Sequence, residues 1–254
     1  MKQNINYIGS KYSLLDFLYE KIKLVGNLEE KVFCDLFAGT NIVGMYFNDK
    51  VNQIISNDIE YYSFVLAKKY LNSTICDFNL MNELNNLPII EGDIFNYYSE
   101  NGICNRKYFS EENGKKIDAI RQKIEEFKEC NLLDNNCYYF YIASLIEAAD
   151  KIANTTSVYG SYLKSVKKSA QKQLLLKYDS INFVDKHNNI NYNEDANVLI
   201  TKISGDILYI DPPYNHRQYG SNYHILNAIA KYDFTNEPKG VTGMLDYNLK
   251  NKKE

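Results

Sequence analysis

The sequence predicts an α/β domain organised on a parallel sheet, and three observations predict it. Short apolar runs stop abruptly on an acid, at residues 32–35, 51–58 and 207–211. Helical stretches follow the first two of these runs. With 254 residues, 45% of them hydrophobic, the chain can bury one substantial core and carry a smaller inserted subdomain. In such a sheet ligands bind in the crevice beyond the carboxyl ends of the strands, so the terminating acids are the first candidates for function.

Taken in order, Asn6-Tyr7-Ile8-Gly9-Ser10-Lys11 is a glycine-containing loop ahead of a helix marked by Leu14, Leu15, Leu18, Ile22 and Val25, with Ser13 as its N-cap. A loop that opens a helix can hold an anionic group. Residues 31–44 read as a buried strand ending at Asp35, a turn through Phe37, Ala38, Gly39 and Thr40, and the start of a second helix. Ala38 and Gly39 present almost no side chain, which lets a ligand approach the backbone. The turn is not Gly-x-Gly-x-x-Gly, which counts against a nicotinamide enzyme.

Residues 51–57 form the next strand, and Asp58 follows Gly39 by 19 positions. That is close to the spacing of about 20 between a nucleotide-binding loop and the acid on its ribose hydroxyls. Asp58, with Ile59 beside it, is therefore a cofactor ligand, the N-cap of a helix over 61–71, or both. A third apolar segment, residues 87–90, is a further strand candidate leading into Glu91-Gly92-Asp93-Ile94-Phe95. By the same geometry Asp93 would lie near the adenine of the cofactor with Ile94 or Phe95 packed on the ring; a plain surface turn is the alternative.

The strand rhythm then breaks. Ile117, Ile120, Ile124 and Phe127 mark one amphipathic helix, and Tyr138, Ile142, Leu145, Ala149 and Ile152 another. Residues 97–202 thus read as a largely helical insertion. Within it, residues 151–177 carry six lysines, Lys164, Lys167 and Lys168 among them, and no acid. Such a stretch is either a solvated face or a local phosphate-facing surface.

The last strand, Ile207-Leu208-Tyr209-Ile210, ends at Asp211-Pro212-Pro213-Tyr214. Each proline fixes its own φ and holds the residue before it out of helical geometry, so Asp211 and Tyr214 sit on a stiff turn. The Asp211 carboxylate and Pro212 carbonyl are acceptors suited to an amino group on a flat ring, and Tyr214 offers a face for stacking. Arg217 could reach a phosphate, and a helix follows over 223–231. His216 and His224 have no partner cluster that suggests a metal or a nucleophilic triad.

Asp211-Pro212-Pro213-Tyr214 resembles the catalytic motif of amino-methyltransferases acting on nucleic-acid bases, in its adenine-specific form. Asp35-Leu36-Phe37-Ala38-Gly39-Thr40-Asn41 resembles their S-adenosylmethionine loop, with Asn41 where that pattern has its last glycine; Tyr7, Gly9 and Lys11 match their N-terminal cofactor motif. Asn tolerates left-handed backbone better than other non-glycine residues. With these motifs in the order cofactor loop, recognition insertion, catalytic turn, the chain is similar to Dam-like adenine-specific DNA methyltransferases over residues 4–245.

The resemblance implies a Rossmann-like S-adenosylmethionine-dependent methyltransferase sheet made of residues 1–96 and 203–254, with a helical target-recognition insertion at 97–202. It implies S-adenosylmethionine held by Tyr7, Gly9, Lys11, Asp35, Phe37, Ala38, Gly39, Thr40, Asp58, Ile59, Asp93, Ile94 and Asp211. Double-stranded DNA would be the substrate, contacted by Lys164, Lys167, Lys168 and Arg217, and Asp211, Pro212, Pro213 and Tyr214 would carry the chemistry. Segments 106–110 and 153–160 look like parts of the recognition region. Similar proteins continue with further strands, so the strand before Asp211 is expected to form an apolar edge. A complementing C-terminal segment or subunit is then an expected partner, beside a cognate restriction endonuclease. Two other readings stay open: a silent DNA-binding or assembly subunit, and an RNA adenine methyltransferase.

Composition narrows the rest. A formal net charge of −3 argues against a uniformly basic nucleic-acid binder, so any DNA-facing surface is expected to be local. The five cysteines form no Cys-x-x-Cys pair and are expected as reduced thiols packed like small hydrophobes; with three histidines, a structural metal is not expected. No run is long enough to span a bilayer and no signal peptide is visible, which reads as cytoplasmic.

Overall fold

The computed structural model describes residues 5–72, 75–178, 188–213 and 219–245. Strands β1 (Val32–Asp35), β2 (Gln53–Asn57), β3 (Ile190–Tyr192) and β4 (Ile207–Tyr209) form one parallel sheet in the order β3-β2-β1-β4. Phe33 at its centre aligns with Ile54 on one side and Ile207 on the other. From β1 the chain steps outward through β2 to β3, then returns to lay β4 on the opposite side of β1. The order therefore reverses between β1 and β4, and the loops leaving their carboxyl ends diverge around a crevice.

The helices are α1 (Leu15–Ile22), α2 (Ile42–Phe47), α3 (Tyr61–Asn72), α4 (Phe78–Asn86), α5 (Asp93–Tyr98), α6 (Glu111–Glu129), α7 (Asn135–Ile152), α8 (Ala196–Leu199), α9 (Tyr219–Asn222) and α10 (His224–Lys231). Leu15, Leu18 and Ile22 of α1 join Val43 and Phe47 of α2 against Phe33, Ile54, Ile207 and Tyr209. A larger core unites Tyr62, Val65 and Leu66 of α3 with Ile117, Ile120 and Ile124 of α6, Ile142 and Leu145 of α7, and Ile225 and Ile229 of α10. Helix α7 is buried continuously from Phe140 to Asp150, as a helix surrounded by α3, α6 and α10 must be.

Several expectations are corrected. Residues 87–90 are not a strand: Pro88 lacks the N–H a ladder needs, Ile89 is exposed, and the place beside β2 belongs to β3. Because β3 lies within the stretch expected as an insertion, residues 190–202 fall on the sheet side of the molecule, and α6 and α7 share their core with α3. Ser13 is not an N-cap; it sits inside a 3₁₀ turn, Tyr12–Leu14, and α1 begins after it. Leu14 and Val25 are exposed rather than on the packed stripe. Cys76 and Cys137 form a disulfide, with Cα atoms 5.5 Å apart. They lie 61 residues apart in sequence and meet because α3 packs on α7, so spacing carried no sign of the pair. Among the described residues β4 is an edge of the sheet, where Leu208 and Ile210 are 46% and 56% exposed on one side.

Candidate active site

The N-terminal loop and the four loops beyond the strands enclose a cavity of about 270 Å³. The N-terminal loop contributes Tyr7, Gly9 and Lys11; the β1 turn contributes Asp35, Phe37, Ala38, Gly39 and Thr40; the β2 end contributes Asp58 and Ile59; Asp211 and Pro213 close the β4 side. Asn6 anchors the N-terminal loop to the helical core, donating its backbone N–H and Nδ2 to Asp150 Oδ2 at 2.8 and 3.0 Å. Tyr7 stacks on Tyr223 with ring centroids 4.7 Å apart, and the Tyr223 hydroxyl accepts the Ile8 N–H. A Cβ on Gly39, whose φ is +53°, would lie 2.9 Å from the Tyr7 hydroxyl, so this close approach requires glycine.

The turn keeps its shape with asparagine at the position of the last glycine. Asn41 adopts φ 62°, ψ 16°, the left-handed region in which asparagine is the least strained non-glycine residue. Its amide is fully employed beneath the turn: Nδ2 donates to the Ser63 carbonyl at 2.9 Å, and Oδ1 accepts from the Ser56 hydroxyl at 2.6 Å. The Ala38 N–H reaches across to the Asn57 carbonyl, tying the β1 turn to the end of β2.

Charge in the cavity is predominantly acidic. Asp58 Oδ2 accepts the Gly39 N–H at 2.8 Å and Oδ1 the Glu60 N–H at 2.9 Å, so one carboxylate links the two turns. Burial nevertheless pushes the Asp58 carboxyl up to about 7 against these donors. Asp35 is 1% exposed, and its Oδ1 has no hydrogen-bond partner among the described residues. Burial, followed by the nearby Asp58 and Asp211 carboxylates, raises it to about 8. Lys11 Nζ lies 2.6 Å from Asp211 Oδ2 and donates to the Gly9 carbonyl at 3.1 Å, holding the β4 acid against the N-terminal loop.

Not every expected residue arrives here. Asp93 opens α5 and Ile94 is wholly buried in the helical core, its N–H donated to Asp118; neither lines the cavity. The loop after β3 lines it instead, through Glu194, Asp195, Ala196 and Asn197. The signal was a short run, Ile190-Asn191-Tyr192, ending in acids like the others, obscured because it lies inside a stretch read as helical. Lys164 and Lys168 are exposed, whereas Lys167 is turned inward, its Nζ donating to the Thr155 carbonyl at 2.6 Å. Tyr214 and Arg217 lie outside the described residues.

Residues 7–254 match the family of D12 class N6 adenine-specific DNA methyltransferases. The chain belongs to that family. As a D12-class chain it is 51% identical to the type II methyltransferase M.NlaIII of Neisseria lactamica over 250 residues, which are 96% of this chain and 74% of that protein. It is 41% identical to the type II methyltransferase M.FokI of Planomicrobium okeanokoites over 257 residues, 96% of this chain but 39% of that longer protein. The type II methyltransferase M.CviAII of Paramecium bursaria Chlorella virus 1 is 39% identical over 262 residues, 96% of this chain and 73% of that protein. No solved structure matches the chain. Within the D12-class fold, the cavity joins the β1 turn, the β2 acid and the Asp-Pro-Pro turn at one switch point.

Proposed function

We propose that this chain transfers a methyl group from S-adenosylmethionine to the exocyclic amino group of adenine in a specific double-stranded DNA sequence. The observation that carries this reading is the convergence of Asp211 and Pro213 with the Asp35–Thr40 turn and Asp58 on one cavity. The residues fit the cofactor: Asp58 can accept from ribose hydroxyls, Asp35 offers an unsatisfied buried oxygen, and Gly39 leaves the backbone approachable. Bound there, S-adenosylmethionine supplies an activated methyl on a sulfonium that is already a good leaving group.

The protein's work is then positioning. Adenine's amino group is stacked inside the duplex, so the base is flipped out at a cost on the order of a few kcal/mol. Asp211 and the Pro212 carbonyl accept its hydrogens, raise electron density on nitrogen and aim it at the methyl; Tyr214 stacks on the ring. Lys11, already paired with Asp211, keeps that carboxyl oriented at the mouth of the β4 loop. Lys164, Lys168 and Arg217 contact DNA phosphates, and a restriction endonuclease of the same specificity is the cognate partner. The exposed β4 edge accepts a complementing segment or subunit that extends the sheet. No helix among the described residues is long and apolar enough to cross a membrane, which fits a cytoplasmic site of action.

Incubation with methyl-labelled S-adenosylmethionine and unmethylated duplex DNA, followed by nucleoside analysis, tests the reading. Labelled N6-methyladenine is expected; label recovered only in RNA, or in cytosine, overturns it.

A further inference from the structure

Asp35 is a buried acid in poor company. It ends β1 at the floor of the cavity, where its carboxyl receives the Phe37 N–H while Oδ1 goes without a partner among the described residues. The groups that face it are mostly acids or neutral. Asp58 approaches from the end of β2 and Asp211 from beyond β4. Tyr209 on β4 and Cys34, next to Asp35 on β1, stay uncharged, both pushed up by burial. Lys11 comes from the N-terminal loop, but its ammonium lies against Asp211 Oδ2 at 2.6 Å. A carboxyl so placed carries its proton at neutral pH, consistent with its rise to about 8.

An orphaned oxygen in a cavity implies a ligand group to satisfy it. Resting on the reading of this cavity as the S-adenosylmethionine site, the inference concerns charge. That cofactor carries a sulfonium, an ammonium and one carboxylate, a net positive charge. We propose that it loads by exchange for the proton on Asp35, which becomes the buried counter-ion of the bound cation. The balance is simple: the Asp35 O–H bond breaks, its proton passes to solvent, and the cofactor's positive charge takes its place. Affinity for the cofactor then rises with pH and levels off above about 8, where free Asp35 is already ionised. One proton exchanged per molecule bound gives a change of up to about tenfold in Kd per pH unit below that point.

Calorimetric titration of S-adenosylmethionine into the protein at about pH 7, in phosphate and in Tris, reads the proton directly, because the two buffers absorb it with different heats. At the same pH the wild-type protein should release close to one proton more than Asp35→Asn, a difference from which the contributions of Asp58 and of the cofactor's own amino group cancel, and the variant should lose the matching part of the pH dependence of Kd. Carbon NMR of carboxyl-labelled aspartate in the wild-type protein, assigned through the backbone, needs no variant. Asp35 should titrate near pH 8 when free and remain ionised at about pH 7 when loaded. A buffer dependence that Asp35→Asn leaves unchanged, with normal binding, or a free Asp35 ionised at about pH 5, overturns the inference alone. Absence of binding at every pH overturns the cofactor reading and this inference together.

Discussion

The helical layer and the strand-end cavity both bury charge, and they treat it in opposite ways. In the helical layer each buried charge has found its partners. Lys69 of α3 meets Glu147 of α7 at 2.7 Å, and the Tyr70 hydroxyl donates to the other Glu147 oxygen. Asp118 accepts the Ile94 and Phe95 N–H groups and the Tyr232 hydroxyl, while the Arg106 guanidinium donates to the Tyr97, Pro238 and Gly240 carbonyls. At the strand ends Asp35, Asp58 and Asp211 crowd together, and Asp35 Oδ1 has no hydrogen-bond partner among the described residues. A charge with its partners in place specifies how elements dock; a charge held short of partners is stability forgone in favour of a ligand.

Substitutions that exchange these behaviours should separate the two regions. The largest effect belongs to Asp211→Ala. Methyl transfer to duplex DNA should fall by at least about 10³-fold, comparable with losing a key electrostatic contact to a reacting group, while calorimetry shows cofactor affinity within about threefold. Equal loss of both would mean that Asp211 belongs to the cofactor alone. Lys69→Met should do the reverse. It strands Glu147 in the core and should cost about 3–5 kcal/mol by denaturant unfolding, with kcat per folded molecule unchanged. Replacing Glu147 with leucine in the same protein should recover much of that loss.

Asp35→Asn sharpens the contrast, because the cavity variant should stabilise the ligand-free protein. Asp35 keeps its proton up to about 8 when folded, against an ordinary aspartate near 3.8. Across that window the folded state binds more protons than the unfolded chain, so wild-type stability falls as pH rises and is level above about 8. The variant escapes this loss. Its free energy of unfolding in denaturant should match the wild type's at about pH 4 and exceed it at about pH 8, by an amount on the order of 1–3 kcal/mol. A variant less stable at both pH values would place Asp35 with the satisfied charges of the helical layer. The smallest effects lie on the surface. Lys164→Ala and Lys168→Ala should each lower the salt slope of DNA binding by about 1 without altering unfolding, whereas Lys167→Ala should lower stability by about 1 kcal/mol through its lost contact with Thr155.

Much of the cavity was legible because local chemistry encodes it. An apolar run ending in an acid marks a strand's carboxyl end wherever it occurs, Ala38 and Gly39 announce a close backbone approach, and two prolines stiffen a turn in any surroundings. Period alone was sufficient for α6 and α7. It failed for residues 87–90, where Pro88 has no N–H for a ladder and Ile89 and Ile90 are exposed, and for β3, whose three residues are too few to show a period.

By itself, then, the sequence determined the parallel α/β class, the acids at the ends of β1, β2 and β4, and the Asp-Pro-Pro turn, because each depends on neighbours a few residues away. Only the tertiary structure decided which acid sits beside which. It brought the Asp195 loop in and left Asp93 outside, turned Lys167 inward, joined Cys76 to Cys137, and gave one oxygen of Asp35 no donor among the described residues. Those outcomes depend on strand order and helix docking, which bring together groups as distant in sequence as Lys11 and Asp211, 200 residues apart. Local pattern carries no record of such distances; packing sets them.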